Sequence, residues 1–148
     1  MSEPVLDDAV RSLRRVILAG EHYRQSVAQV TGLGVTETQA LSYLAVHGPR
    51  GQNELAADLG ITSSAATALV DRLERQGVAE RSAHPSDRRR VQVQLTEGGR
   101  AVVKLSRDWL ASAFDDLPEA TVKELSCELV RIADSLRAAS LKMLDARD

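Results

Sequence analysis

The hydrophobic positions of the chain follow a helical spacing at both of its ends. From about Val5 to Thr31 apolar residues recur every three or four positions, which predicts one long helix. Gly32-Leu33-Gly34 is expected to end this helix. The same spacing predicts a last helix from about Glu119 to Leu144, where the apolar positions form a heptad seam. The seam consists of Val122, Leu125, Leu129, Ile132, Leu136, Ala139 and Met143.

Two shorter helices are predicted after the first one. Thr36-Glu37-Thr38-Gln39 matches a capping box, in which the Gln39 amide reaches back to the Thr36 backbone at the start of a helix. That helix is expected to stop at Gly48-Pro49. The next one covers about Gln52 to Leu59, because Gly60 interrupts the pattern directly after it.

A third short helix follows the turn at Gly60. Thr62 is a good N-cap, and the helix is predicted over about Ser63 to Gln76. Two short helices joined by such a turn match a helix-turn-helix, whose second helix enters a DNA major groove that is about 12 Å wide. An ordinary N-capped helix in an all-α protein is the alternative interpretation. Its inward stripe is expected to be Ala65, Leu69 and Leu73, and its predicted DNA contacts are Ser63, Ser64, Thr67 and Arg72.

A hairpin is predicted directly after this helix. Val91 to Leu95 alternates apolar and polar residues, and Val78 to Arg81 can form its partner strand. The alternation is expected to turn Val91, Val93 and Leu95 towards the core. Thr96 then caps a helix of about Glu97 to Ala113, which a turn at Asp115-Asp116-Leu117-Pro118 separates from the last helix.

Three consecutive arginines precede the alternating strand. Pro85-Ser86-Asp87 is a turn signal, so Arg88, Arg89 and Arg90 are predicted at an exposed hairpin tip. Guanidinium groups in that position suit a polyanion, whereas the alternative is a solvated charged turn. Asp87 has a predicted supporting role, in which its carboxylate caps the tip turn or pairs with Arg89.

Together these elements predict a mainly α protein with a small β-hairpin wing, namely a winged helix-turn-helix flanked by N- and C-terminal dimerisation helices. The wing would reach along the DNA backbone or into the minor groove. The net charge is −2, but from Asp71 to Arg100 there are seven arginines against five acids. From Asp115 onwards eight acids oppose five bases, so one basic face on an acidic body is expected.

Several other classes of protein are disfavoured by the sequence. It has no glycine-rich phosphate loop, no recognisable nucleophile arrangement and no paired carboxylates, so an enzyme is not expected. His22, His47 and His84 have no metal-ligand spacing, and neither a metal nor a cofactor is predicted. The single Cys127 excludes an intramolecular disulfide and is interpreted as a packing residue. Lacking an apolar run or a signal peptide, the chain is expected to be soluble, cytoplasmic and not membrane-bound.

The long terminal helices predict a homodimer. Their apolar faces are too long to be covered by one small core, and an isologous two-fold interface would bury them. The predicted segments are an N-terminal dimerisation helix (1–34), the DNA-binding domain (35–96) and C-terminal dimerisation helices (97–148). Two recognition helices would then lie about 34–36 Å apart and read a pseudo-palindromic operator in double-stranded DNA. A monomeric antiparallel helix pair is the alternative. The predicted interface residues are Leu6, Leu13, Ile17, Leu125, Leu129, Ile132, Leu136 and Met143.

The motifs resemble those of the MarR family of bacterial transcription regulators. The resemblance rests on 69–78 (LVDRLERQGV), 84–90 (HPSDRRR) and 93–99 (VQLTEGG), and the order of elements matches over nearly the whole chain. It implies a homodimer with intertwined terminal helices that represses nearby genes. The family's wing motif Asp-x-Arg is matched by Asp87 and Arg89, and its recognition-helix Asp-Arg pair by Asp71 and Arg72.

The resemblance also implies release from DNA by a small, often phenolic or aromatic, effector. Family members bind effectors between the dimerisation helices and the winged domain. The candidate residues by position are His22, Tyr23, Tyr43 and Trp109, each with a core or boundary role as the alternative. The chain departs from the family at Ala68, where relatives often carry a polar or basic group, so readout is expected to shift to Ser64, Thr67 and the wing. A rival interpretation, a winged helix used for protein–protein contact, does not account for the arginines.

Overall fold

A computed structural model describes residues 2–146, which are mainly helical with a small antiparallel sheet. The helices are α1 (Glu3–Thr31), α2 (Val35–His47), α3 (Gln52–Leu59), α4 (Ser63–Arg75), α5 (Glu97–Ala111) and α6 (Glu119–Asp145). The strands are β1 (Arg50–Gly51), β2 (Ala79–His84) and β3 (Asp87–Leu95). The predicted mainly α fold class with a hairpin is confirmed. The predicted helix ends agree within two residues for α1, α3, α4, α5 and α6.

The described residues form two compact units, divided in sequence between Arg107 and Asp108. The first unit contains α1 to α4, the sheet and most of α5. The second contains the end of α5, a 3-10 turn (Ser112–Phe114) and α6. This division does not test the three functional segments that the sequence predicts, which stay a prediction.

The core of the first unit lies among α2, α3, α4 and the sheet. Its fully buried large side chains are Leu41, Leu55, Leu69, Leu73, Val70 and Val93. Burial of such a side chain contributes about 1.5–3 kcal/mol, so this cluster is what fixes the helices against the sheet. The wing and the recognition helix therefore share one rigid base.

The buried face of α4 differs by one position from the prediction. The Thr62 hydroxyl accepts a hydrogen bond from the Ala65 amide at 3.2 Å, which confirms the predicted N-cap. Ala65 itself is exposed, however, and Ala66 is fully buried in its place. The buried stripe therefore consists of Ala66, Leu69, Val70 and Leu73, and it is rotated around the helix relative to the predicted one.

The predicted capping box at the start of α2 is wrong. The helix begins at Val35 with Gly34 as its N-cap, so Thr36 lies inside the first turn and caps nothing. The Glu37 carboxylate folds back over Gly34, where an added Cβ would collide with Glu37 Oε2. Glycine at position 34 thus leaves room for Glu37, whose side chain is only 8% exposed.

The sheet has the order β1-β3-β2, with antiparallel pairing throughout. Only Pro85 and Ser86 separate β2 from β3, so the hairpin is longer than predicted and the three arginines lie on strand β3 rather than at the tip. Val91, predicted to face the core, is 54% exposed, because this part of the hairpin extends beyond the helices. The short β1 was not predicted.

Thr96 connects the hairpin to α5. Its hydroxyl accepts a hydrogen bond from the Gly99 amide at 3.1 Å and donates to the Gly77 carbonyl at 2.6 Å. The predicted cap is confirmed, and the second bond also ties the end of the hairpin to the turn after α4. Gly99 is required at its position because an added Cβ would overlap the Val78 carbonyl.

Both long helices carry exposed apolar residues. In α1 only Val27 and Ala28 are buried, whereas Leu6 and Ile17 are 47% and 45% exposed. Leu13 is half-buried. In the described part of α6 no residue is buried, and the seam residues Leu125, Leu129, Ile132, Leu136 and Met143 are 37–71% exposed.

Candidate nucleic-acid interface

The N-terminal half of α4 is the most open part of the helix-turn-helix. The exposed side chains on its first turns are all small, namely Ser63, Ser64, Ala65, Thr67 and Ala68. A helix N-terminus presents unpaired amides and the positive end of the helix dipole, which favour phosphate. Small side chains let this end approach a nucleic acid closely. This geometry is the one expected of a helix that enters a groove.

Thr67 is held by two hydrogen bonds within the protein. Its hydroxyl donates to the Ser63 carbonyl at 3.1 Å and accepts from the Gln52 side-chain amide at 2.7 Å. A hydroxyl has one donor and two acceptor positions, so Thr67 retains a single acceptor for a base. The predicted readout by Thr67 is therefore limited to accepting one hydrogen bond or to contact by its methyl group.

Arg81 on β2 joins the wing to the recognition helix. Its guanidinium lies 2.8 Å from Asp71 Oδ1, also pairs with Glu74, and donates to Gln52 Oε1 at 3.2 Å. The Arg81 amide donates to Glu74 Oε1 at 2.9 Å. The Arg81 side chain is 28% exposed, so water screens these pairs only in part. One residue thus fixes the wing to α4 and α3.

The sequence analysis missed Arg81. The available signal was the pair of acids Asp71 and Glu74, which are three residues apart and share one helix face. A basic residue in the strand that follows such a helix is placed to bind both.

Arg72 of α4 is bound to a buried carboxylate of α2. Its Nε donates to Glu37 Oε1 at 2.7 Å, and this is the contact that accounts for the burial of Glu37. The Arg72 side chain is 42% exposed. The pair joins α4 to α2. The predicted contact between Arg72 and DNA stays a prediction, beside a structural role that the sequence analysis did not foresee.

The three wing arginines are exposed and differ in their contacts. Arg90 lies 4.0 Å from Glu54 Oε1, whereas Arg88 and Arg89 have no ion pair within the described residues. Side chains alternate along a strand, so Arg89 faces the opposite side of the hairpin from its two neighbours. Arg88 and Arg89 are therefore available to an external anion.

Asp87 supports the wing through the backbone. Its Oδ1 accepts a hydrogen bond from the Arg89 amide at 3.0 Å, which is the first of the two predicted roles. At the other side of the turn the Ser86 amide donates to His84 Nδ1 at 3.2 Å. Together these bonds fix the two-residue turn, and the contribution of His84 had not been predicted.

The comparisons with known proteins agree with this geometry. A family model described as MarR family matches residues 31–90. The uncharacterized HTH-type transcriptional regulator YcgE of Bacillus subtilis (strain 168) is 36% identical over 118 residues, covering 79% of this chain and 77% of that protein. The chain belongs to the MarR family.

Solved structures show the same fold. A MarR family protein from Bacillus stearothermophilus has a TM-score of 0.70 at 20% identity, covering 93% of this chain and 99% of that one. A mutant of S. aureus MepR bound to an oligodeoxyribonucleotide has a TM-score of 0.56 at 20% identity, covering 86% and 97%. This MarR-family chain is a DNA-binding transcriptional regulator rather than an enzyme, as predicted.

The candidate effector residues of this MarR-family protein lie outside its DNA-facing elements. On α1, His22 is exposed, and the Tyr23 hydroxyl donates to the Ser106 carbonyl of α5 at 2.7 Å. Tyr43 of α2 packs against the core and stacks on His47, with ring centroids 5.9 Å apart. Both tyrosines thus have contacts within the first unit, and their role in effector binding stays a prediction. In the second unit, Trp109 is 38% exposed.

Within residues 2–146, no group of three or more His, Cys, Asp or Glu side chains could hold a metal ion. None of the helices in this range is long and apolar enough to cross a membrane.

Proposed function

We propose that this chain acts in the cytoplasm as a homodimeric, sequence-specific repressor that binds a pseudo-palindromic operator and is released by a small ligand. The observation that carries the proposal is the pairing of an exposed recognition helix with a wing whose Arg88 and Arg89 have no ion pair in the described chain. The MepR mutant with this fold was solved with an oligodeoxyribonucleotide, which supports the same type of ligand.

The charge distribution supports contact with phosphate by the wing. Arg88, Arg89 and Arg90 follow one another on a strand that projects from the core, where the net charge of −2 does not cancel their local field. The unpaired amides of the first turn of α4 add a second region of positive potential that favours phosphate. Neither feature would be needed by a winged helix that binds another protein.

The dimer is supported by the exposed apolar residues of α1 and of α6. Ile17 is 45% exposed and Leu129 is 45% exposed, and each continues a helical stripe. Soluble chains seldom leave such stripes uncovered. A two-fold pair would bury them and would present two recognition helices to one face of a duplex. Sedimentation velocity measures the mass of the particle directly.

A salt series tests the DNA-binding proposal. Fluorescence anisotropy would measure Kd for a labelled duplex from the region upstream of the chain's own gene, between about 50 and 200 mM salt. A protein with six to ten phosphate contacts loses about 10³–10⁵ in affinity over that range, because bound counterions are released. Steep weakening is expected here. A flat response, or no binding to any duplex, contradicts the proposal.

Release by a small phenolic or aromatic effector is the last part of the proposal. The candidate residues His22, Tyr23, Tyr43 and Trp109 lie on α1, α2 and α5, and none of them belongs to α4 or the wing, where DNA is proposed to bind. Trp109 is the one tryptophan of the sequence and reports ligand binding by its fluorescence. Adding a panel of small phenols to the preformed DNA complex should lower its anisotropy. A panel that changes neither signal contradicts this part alone.

A further inference from the structure

We propose that the methyl group of Ala68 reads the 5-methyl group of thymine in the major groove, and that the operator therefore has a T·A pair opposite Ala68. The inference rests on the proposed function, since it requires α4 to enter a major groove. It reverses the expectation that the absence of a polar group at position 68 removes base contact there.

Ala68 lies at the centre of the outward face of α4. Ala66, Leu69, Val70 and Leu73 form the buried face. The exposed residues Ser64, Ala68, Asp71 and Arg75 follow a spacing of four, three and four, which places them together on the opposite side. Ala68 thus occupies the position from which a recognition helix reaches base edges.

The polar neighbours of Ala68 already have partners within the protein. The Ser64 hydroxyl lies 3.1 Å from the Thr62 hydroxyl, and the Asp71 carboxylate is bound by Arg81. The Arg75 Nε donates to the Asp71 carbonyl at 3.3 Å, which draws its side chain along the helix. Between these groups the face presents the methyl group of Ala68, which has no hydrogen-bonding capacity of its own.

The chemistry of the major groove selects one base for such a surface. Thymine is the base that presents a methyl group there, and apolar contact with alanine is one of the ways in which proteins recognise it. Cytosine has a hydrogen at the same carbon and an amino donor beside it, for which Ala68 has no acceptor. A T·A pair is thus favoured over C·G at this position.

Thymine-to-uracil substitution isolates the methyl group. A duplex would first be selected by the protein from a pool with a randomised central segment, and then resynthesised with deoxyuridine at one thymidine position at a time. Base pairing and all hydrogen-bonding groups stay the same. At the position facing Ala68 we expect Kd to rise about fourfold for each methyl contact that is lost.

Variants assign the effect to Ala68. In Ala68→Gly the thymidine and deoxyuridine duplexes should bind equally, whereas Ala57→Gly, an exposed alanine on α3, should retain the preference for thymidine. The uracil measurement on the unmodified protein needs no variant, so a poorly folded Ala68→Gly leaves the test intact. Equal binding of both duplexes by the unmodified protein overturns the inference, as does an effect that persists in Ala68→Gly. Failure to select any duplex instead contradicts the proposed function.

Discussion

Arg81 of the wing and Asp71 of the recognition helix form an ion pair of 2.8 Å, between residues that belong to separate elements of the DNA-binding domain. The pair makes the direction of the wing depend on the position of α4. The wing and α4 are proposed to contact the same duplex. The ion pair therefore fixes the relative orientation in which the two elements meet the DNA. Arg81 acts as a positioning residue, because its own guanidinium is occupied within the protein.

Replacing Arg81 should therefore weaken DNA binding without removing a DNA contact. In Arg81→Ala, Asp71 and Glu74 lose their partner and become two acids on the DNA-facing helix. We expect Kd to rise by about tenfold or more, which corresponds to about 1.4 kcal/mol, as measured by anisotropy. The melting temperature should fall by only a few degrees, since partly exposed ion pairs contribute about 1 kcal/mol or less.

The control for this variant is Arg131→Ala. Arg131 pairs with Glu128 on α6 and its side chain is 76% exposed. The substitution therefore removes the same charge from a place outside the winged domain. Equal losses of affinity in the two variants would show that only net charge matters. A salt slope in Arg81→Ala that is parallel to that of the original protein would support positioning over phosphate contact.

Arg89 is the wing residue whose loss should cost most affinity. It faces away from Arg88 and Arg90 and has no ion pair in the described part of the chain, so its guanidinium is free for a groove. Arg89→Ala should weaken operator binding strongly, by about tenfold or more, as expected for a lost arginine contact of 1–3 kcal/mol. Sedimentation should find the same oligomeric state as in the original protein. Dissociation of the oligomer in this variant would assign the wing a structural role instead.

Asp87 offers a matched pair of substitutions for the same wing. Its carboxylate accepts a hydrogen bond from the Arg89 amide, and Asn keeps such an acceptor while Ala does not. Asp87→Asn should bind DNA at least as well as the original protein, because it retains the turn and removes a negative charge. Asp87→Ala should bind more weakly than Asp87→Asn by anisotropy. Equal binding by the two neutral variants would show that the hydrogen bond of the turn is not what Asp87 supplies.

The sequence predicts the elements better than it predicts their contacts. Helix α4 follows from the Thr62 cap and the apolar stripe, both of which are local signals. The capping box at Thr36 fails because the helix already begins at Val35, where Gly34 is the N-cap and Glu37 is bound by Arg72, 35 residues further along the chain. A local pattern contains no information about such a partner.

The hairpin shows the same difference between local pattern and tertiary environment. Alternation correctly places Val93 inside, but Val91 continues the pattern beyond the edge of the core and is exposed. Strand β1 has two residues, too few for any periodicity, and exists because Arg50 and Gly51 pair with Val93 and Gln92. Likewise, a local pattern predicts which positions of α4 and the wing are exposed. It does not predict the hydrogen bonds of Thr67 and Arg81, because these depend on how the elements pack.

The pair between Arg72 and Glu37 should matter for stability. Glu37 is almost fully buried, and removal of Arg72 leaves its carboxylate without its charged partner. Arg72→Ala should lower the free energy of unfolding by about 1–3 kcal/mol, which is the cost of an unsatisfied buried acceptor. Urea denaturation measures this loss. The double variant Arg72→Ala with Glu37→Gln should recover part of it, because the unpaired charge is then absent; no recovery would contradict a coupled pair.

The exposed seam of α6 allows a decisive test of the dimer. Ile132 is 40% exposed and lies at the middle of the seam, so its burial in a two-fold interface would be incompatible with a charge. Ile132→Glu should shift the sedimentation coefficient from that of a dimer to that of a monomer and weaken operator binding, since two half-sites are then no longer held by one particle. The matched control is Arg131→Glu, at the adjacent exposed position of the same helix and outside the seam. If Ile132→Glu sediments like the original protein, the seam does not form the interface, and the apolar face of α6 requires another explanation.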